Sequence, residues 1–162
     1  MPSGRTVSIC GGGLGGLTLG LALRKYGIPF QIFERAPALS EIGAGITLWS
    51  NAIAVLRHLG VAEAVRAVSE PSPGGMIGLS GGEILVEAQA GDVGDGLRPL
   101  ELWAAHRFEL QQALYDQLPR DAVHFAAPFL RYSETATGVV AQFGSWGDVE
   151  SSLLVGADGI GS

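Results

Sequence analysis

A run of glycines directly after a short apolar segment constrains the fold of this chain more than any other feature. Residues 7–10 read Val-Ser-Ile-Cys, and residues 11–16 read Gly-Gly-Gly-Leu-Gly-Gly. Gly11 permits a sharp turn out of a strand, Gly13 permits close approach of a ligand to the backbone, and Gly16 permits tight packing of a helix on a sheet. The start of such a helix offers free N–H groups and a positive dipole end to a phosphate.

The residues around the glycines supply the elements that a phosphate-binding turn needs. Residues 7–10 predict a buried strand, the leucines at 14, 17 and 21 predict one face of a helix, and residues 28–33 predict a second buried strand. Glu34 follows about twenty residues after the glycines, where a carboxylate can accept hydrogen bonds from ribose hydroxyls. This order predicts a dinucleotide site. The alternative for Glu34 is a surface glutamate after a strand. The glycine cluster alone is weak evidence, because a chain that holds 25 glycines contains such clusters by chance.

Composition limits the classes of protein to which the chain can belong. With 162 residues, 47% of them hydrophobic and 16% charged, it has the size and apolar content of one domain with a sizeable core. A net charge of −6, with ten scattered Lys and Arg residues, argues against a nucleic-acid partner. The single cysteine, Cys10, cannot form an internal disulfide, and no apolar stretch reaches the length of a membrane span. We therefore expect a cytoplasmic protein with no membrane partner, and the three histidines predict no metal site.

The rest of the chain alternates between helical and extended patterns. A loop at 43–45 leads into an extended segment and then a helix that Gly60 ends. Within about residues 71–97, two extended runs at 76–79 and 83–87 flank Ser-Gly-Gly and predict a small β-hairpin insertion. Further elements are predicted at 102–105 (strand), 110–118 (helix), and 123–125, 129–133, 139–143 and 152–155 (strands). The pattern predicts an α/β fold, with a mostly parallel Rossmann-like sheet and an antiparallel crossover layer over residues 129–143.

Five motifs in this order carry a family resemblance. They are the glycine fingerprint, Glu34-Arg35, Gly-Ala-Gly-Ile at 43–46 with Asn51-Ala52, His106-Arg107-Phe108-Glu109-Leu110, and Gly156-Ala157-Asp158-Gly159. Together they resemble the flavin-dependent aromatic hydroxylases, the single-component FAD monooxygenases of the para-hydroxybenzoate hydroxylase type. The Gly-Ala-Asp-Gly element separates this family from ordinary nicotinamide dehydrogenases, and the resemblance covers nearly the whole chain.

The resemblance implies which residues contact FAD at its adenosine and diphosphate end. Gly11, Gly13 and Gly16, with the amide of Leu14, would cradle the pyrophosphate. Glu34 would bind the adenosine ribose, with Arg35 beside the adenine end.

The remaining motifs imply further contacts with the cofactor. Gly45 belongs to a motif that runs close to the flavin, and Arg107 matches an arginine that reaches FAD from a helix start. Phe129 matches a position whose backbone contacts adenine, while Asp158 and Gly159 match a motif that serves both FAD and the nicotinamide donor. The alternatives are a solvated helix-start arginine at 107, a core residue at 129 and a turn residue at 158.

The resemblance also implies the reaction. NADH or NADPH would reduce FAD, and a flavin C4a-hydroperoxide would transfer oxygen to an aromatic or polyketide-like substrate. The flavin carries this chemistry, so no catalytic side chain is predicted.

The resemblance implies, in addition, that a carboxy-terminal part that binds the substrate is absent, because members of that family are longer. We therefore expect residues 1–162 to be an incomplete FAD-binding domain. The missing half, or self-association through an unfinished apolar edge, would complete it. The alternative is a non-catalytic module that binds FAD or adenine nucleotide, or one half of a split enzyme.

Overall fold

The computed structural model describes residues 6–40, 44–92 and 100–160, and these fall into two compact units. Of the described residues, 6–40 and 111–160 belong to one unit, and 44–92 and 100–110 belong to the other. The helices are α1 (Leu14–Lys25), α2 (Ser50–Leu59), α3 (Ala62–Arg66) and α4 (Arg107–Tyr115). The strands are β1 (Val7–Cys10), β2 (Phe30–Phe33), β3 (Gly45–Trp49), β4 (Ser69–Pro71), β5 (Gly74–Gly78), β6 (Ile84–Gln89), β7 (Leu102–His106), β8 (Val123–His124), β9 (Phe129–Glu134), β10 (Val139–Phe143), β11 (Gly147–Ser151) and β12 (Leu153–Gly156).

The first unit is built on a parallel sheet with strand order β12-β1-β2-β8. All four residues of β1 are buried, because it is the strand flanked by β12 on one side and β2 on the other. Helix α1 packs on this sheet through Leu17 and Leu21, which are buried. Its Gly20 makes the close packing possible, since a Cβ there would lie 2.8 Å from the Ile32 side chain.

A second, antiparallel layer covers this sheet, with strand order β11-β10-β9. The rings of Phe33 from β2 and Phe143 from β10 stack with centroids 3.9 Å apart. Cys10, Ala127 and Ala141 complete the buried cluster to which both rings belong. The predicted α/β fold with a crossover layer is therefore confirmed.

The antiparallel layer extends further along the chain than the sequence pattern predicts. The predicted layer ended at residue 143, whereas β11 (Gly147–Ser151) adds a third strand after a short 3-10 turn. Gly147 has φ +79°, a conformation that permits the tight reversal. Acidic residues at 148 and 150 make β11 look like a polar loop in the sequence, but they lie on its exposed face.

The second unit contains a three-stranded antiparallel sheet and a hairpin. Its sheet has the order β3-β7-β4, and α2 ends at Gly60, which has the left-handed φ of +77°. Strands β5 and β6 pair through Ile77 and Val86, which confirms the predicted hairpin. The pairing of β4 was not predicted, because a strand of three residues has too few side chains to show an alternating pattern.

Several element boundaries differ from the sequence predictions by one or a few residues, and two of them have a clear local cause. Strand β2 begins at Phe30 and not at residue 28, because the Ile28 amide donates to the Leu23 carbonyl and closes the end of α1. Helix α4 ends at Tyr115, and the Gln117 and Leu118 amides bond to carbonyls three residues back. The chain tightens there before Pro119 and leaves the α-helix earlier than the leucine spacing indicates.

Candidate cofactor-binding site

Gly11 and Gly16 shape the turn between β1 and α1. Gly11 has φ +107°, and its N–H donates to the Phe33 carbonyl at 2.7 Å. A Cβ at Gly11 would collide with the Ala157 carbonyl, and a Cβ at Gly16 would collide with the Gly11 carbonyl. Both glycines are therefore required by the packing of the chain on itself.

Gly13 and Gly15 are different, because a Cβ at either position would meet no protein atom within 4 Å. Gly13 is the N-cap of α1 in an extended conformation (φ −72°, ψ −178°), and Leu14 is the first helical residue. The first turn contains no acidic side chain, and a glycine N-cap has no side chain to cover its N–H groups. This open, uncapped helix start has the form and polarity of an anion site, so the residues present fit a diphosphate.

Glu34, immediately after β2, holds the glycine turn in place. Its two carboxylate oxygens accept hydrogen bonds from the Gly12 N–H at 2.6 Å and from the Ala36 N–H at 2.8 Å. Each oxygen has a second lone pair, so the carboxylate can still accept a ribose hydroxyl. Arg35 follows with an exposed side chain. The sequence predicted the place of Glu34 but not its bond to the glycine turn.

Gln111 of α4 is a residue that the sequence did not indicate. Its side-chain N–H donates to the Gly12 carbonyl at 2.7 Å, across 99 residues of sequence. A glutamine on a helix carries no motif, so only the folded chain brings it to the glycine turn.

The Asp-Gly motif lies beside the glycine turn. The Ala157 N–H donates to the Cys10 carbonyl at 2.7 Å, and a Cβ at Gly11 would lie 2.8 Å from the Asp158 Cα. Gly159 has φ +82° and open space where a Cβ would project. Parallel strands β1 and β12 end at the same edge of the sheet, which explains why motifs almost 150 residues apart in sequence meet.

A cavity of about 500 Å³ opens next to this motif in the same unit. Its lining includes Cys10, Phe129, Tyr132, Leu154 and Asp158. Phe129, at the start of β9, also packs against the buried cluster of Phe33 and Phe143. Burial raises the pKa of the Cys10 thiol to about 11, and the Asp158 carboxylate adds to the increase. The thiol is therefore a protonated packing group at neutral pH.

Gly45 and Arg107 lie in the second unit. Gly45 is the first residue of β3 and pairs with His106 of β7. Arg107 begins α4 with an exposed side chain, and its backbone N–H donates to the Ala44 carbonyl at 3.3 Å. The structure thus brings these two predicted residues together at one end of the β3–β7 pair.

The residues that the structure describes contain neither a cluster of metal-ligating side chains nor a helix suited to crossing a membrane. Within ranges 6–40, 44–92 and 100–160, no group of three or more His, Cys, Asp or Glu side chains converges as metal ligands do. None of the helices described is both long and apolar enough to cross a membrane.

This chain is similar in sequence to a known protein family and to known monooxygenases. A protein family described as FAD binding domain matches residues 5–162. Aurachin C monooxygenase/isomerase from Stigmatella aurantiaca is 40% identical over 166 aligned positions, covering 100% of this chain and 42% of that protein. The 3-amino-4-hydroxybenzoate 2-monooxygenase of Streptomyces cremeus is 30% identical, covering 96% of this chain and 40% of that protein.

A solved structure with bound cofactor is also similar. A variant of Klebsiella pneumoniae HpxO in complex with FAD has a TM-score of 0.75 and 26% identity, covering 96% of this chain and 40% of that one. The chain thus spans 40–42% of the length of these similar proteins.

Proposed function

The chain belongs to the FAD binding domain family, and from this we propose that it is the FAD-binding part of an NAD(P)H-dependent monooxygenase. The observation that carries the proposal is the turn between β1 and α1. There, two glycines are required by packing, and two others, Gly13 and Gly15, face open space at an uncapped helix start. An open helix start beside a carboxylate that follows β2 is the arrangement that a dinucleotide needs.

We assign the diphosphate of FAD to the turn. The N–H groups of Gly13 and Leu14 would donate to phosphate oxygens, and the α1 dipole would favour the negative charge. Gly11 and Gly16 would act indirectly, by allowing the backbone to adopt this turn. Glu34 would accept hydrogen bonds from the ribose through its remaining lone pairs, with Arg35 beside the adenine.

The other predicted residues have proposed roles of their own, taken unit by unit. The backbone of Phe129 would contact adenine, and the Asp158-Gly159 backbone would approach the cofactor closely, since Gly159 leaves open space there. Arg107 would offset phosphate charge with its guanidinium, and Gly45 would let the chain pass close to the flavin. All of these roles concern binding and orientation of the cofactor. Substitution of these residues should therefore lower the affinity for FAD.

FAD, when bound, supplies electron uptake from NADH or NADPH and activation of O₂. The protein would bind and orient the cofactor and keep water away from the reacting centre. We infer an aromatic or polyketide-like substrate, because one relative is by name a 3-amino-4-hydroxybenzoate 2-monooxygenase. A cytoplasmic location belongs to the same proposal, since Cys10, the sole cysteine of the chain, is a free thiol.

A titration of the chain with FAD tests the proposal, using flavin fluorescence and separation of bound from free flavin. We expect specific binding by the wild-type chain and a loss of at least about 100-fold in affinity in Gly13→Val, because a side chain would occupy the space of the pyrophosphate. Since nothing in the protein lies within 4 Å of that Cβ, the variant should fold.

The matched control is Gly75→Val, which also adds a side chain in open space, on the hairpin strand β5. It should bind FAD like the wild-type chain. Equal FAD affinity in a folded Gly13→Val variant, or no binding by the wild-type chain, would contradict the proposed function.

A further inference from the structure

The glycine turn contains two successive peptides that join glycine to glycine, at 11–12 and 12–13. Such a peptide rotates at little steric cost, because glycine adopts positive and negative φ about equally. Rotation would exchange an N–H for a carbonyl oxygen on the side that faces a ligand. An anion site therefore needs each of these peptides to be held in one orientation.

Each of the two peptides is held by one side chain from a distant part of the chain. Glu34 accepts the Gly12 N–H at 2.6 Å, which holds the first peptide. Gln111 donates to the Gly12 carbonyl at 2.7 Å, which holds the second. The peptides described are all trans, so the carbonyl of Gly12 and the N–H of Gly13 point in opposite directions. The bond from Gln111 therefore also sets the direction of the Gly13 N–H.

We propose that Gln111 is a positioning residue for the diphosphate of FAD, acting through the Gly12 carbonyl. By holding this oxygen, it keeps the second glycine peptide turned so that an N–H, and not a carbonyl oxygen, is available to the phosphate. The inference rests on the FAD-binding function proposed above and extends it to a residue that lies outside every sequence motif.

A purely structural role for Gln111 is the competing explanation. The packing of this part of α4 is already provided by Ala113 and Leu114, which are buried, while Gln111 is half-buried. Loss of its amide should therefore leave the fold of the apo chain in place. A substitution at Gln111 should therefore weaken FAD binding without lowering the stability of the apo chain, whereas a purely structural role would lower the stability as well.

The test compares Gln111→Leu and the nearly isosteric Gln111→Glu with Gln112→Leu. Gln112 is the matched control, because it is the neighbouring glutamine and its amide donates to the exposed Asp116 carboxylate just after α4, away from the glycine turn. Affinities for FAD and for ADP, which carries the diphosphate without the flavin, are measured by titration. The thermal unfolding midpoint of each apo chain is measured in parallel.

We expect both Gln111 variants to bind FAD and ADP about tenfold more weakly or worse, because an unpaired carbonyl is free to turn toward the phosphate. Gln112→Leu should bind like the wild-type chain, and all apo midpoints should lie close together. Wild-type affinity in either folded Gln111 variant would overturn the inference, as would loss of the apo fold in both. If the wild-type chain bound neither FAD nor ADP, the proposed function would fail as well.

Discussion

Single residues of the same type have different tasks in this site. A motif that reads Gly-Gly-Gly-Leu-Gly-Gly does not distinguish its glycines, but their surroundings do. Gly11 and Gly16 are needed because the chain approaches itself, whereas Gly13 and Gly15 leave space that the protein does not use. Substitution of the first pair should therefore affect folding, and substitution of the second pair should affect ligand binding.

Cys10 provides a prediction about pH. Its folded pKa of about 11 lies above the ordinary value of 9.0, because the thiol is buried at the end of β1 near Asp158. The unfolded chain loses the thiol proton at a lower pH than the folded chain does. The stabilising contribution is therefore complete below about pH 9 and is lost as pH rises toward 11.

Urea unfolding of the wild-type chain and of Cys10→Ala at pH 8, 9, 10 and 11 measures this contribution. The free energy of unfolding of the wild-type chain should fall more steeply with pH than that of the variant. Other groups that titrate in this range are common to both proteins and cancel in the difference. If the free energies of unfolding of the two proteins fell in parallel with pH, the Cys10 thiol would not be the cause of the pH dependence.

At the scale of elements, the packing of the two sheets of the first unit on each other depends on a contact between aromatic rings. Phe143 of β10 is 0% exposed and stacks on Phe33 of β2, so it joins the antiparallel layer to the parallel sheet. His124 of β8 adds a ring 5.0 Å from that of Phe33, and burial lowers the pKa of His124. The edge that presents the glycine turn is supported by this contact between layers.

We expect Phe143→Ala to destabilise the chain by about 3–5 kcal/mol, because it removes a fully buried ring and leaves a cavity between the sheets. Tyr132→Ala, on the neighbouring strand β9, is the control, since Tyr132 is 58% exposed and should cost far less. Chemical denaturation followed by tryptophan fluorescence measures both. Similar losses in the two variants would contradict the role assigned to the aromatic contact.

At the scale of the whole molecule, the family resemblance predicted from the motifs is confirmed by the match over residues 5–162. The chain nevertheless spans only 42% of the length of aurachin C monooxygenase/isomerase. Its hairpin carries apolar side chains that are more than half exposed, including Met76, Ile77, Leu85 and Val86. These side chains form an exposed apolar surface on the hairpin.

We expect the 162-residue chain to form no hydroxylated product when supplied with FAD, NADH or NADPH, and 3-amino-4-hydroxybenzoate. Oxygen transfer requires the exclusion of water from the reacting centre, and the chain matches only 40% of the enzyme named for this substrate. The Streptomyces cremeus enzyme serves as the positive control in a chromatographic assay. Product formed in proportion to the nicotinamide consumed would contradict the expectation.

The sequence by itself determined the elements that local patterns can specify. These include β1, α1 and the hairpin, the end of α2 at Gly60, and the place of Glu34 after β2, because glycine conformation and apolar periodicity act over a few residues. The family motifs extended this to the predicted cofactor, whose binding residues remain predictions.

Tertiary structure decided which distant residues meet. The bond from Gln111 to the Gly12 carbonyl and the proximity of Asp158 to Gly11 depend on packing between segments about 100 to 150 residues apart. The different surroundings of Gly11 and Gly13 have the same origin, and the pairing of β4 with β7 joins segments more than 30 residues apart. A side chain that reaches a site across the fold has no periodic or neighbouring signal in the sequence, so only the packed chain shows it.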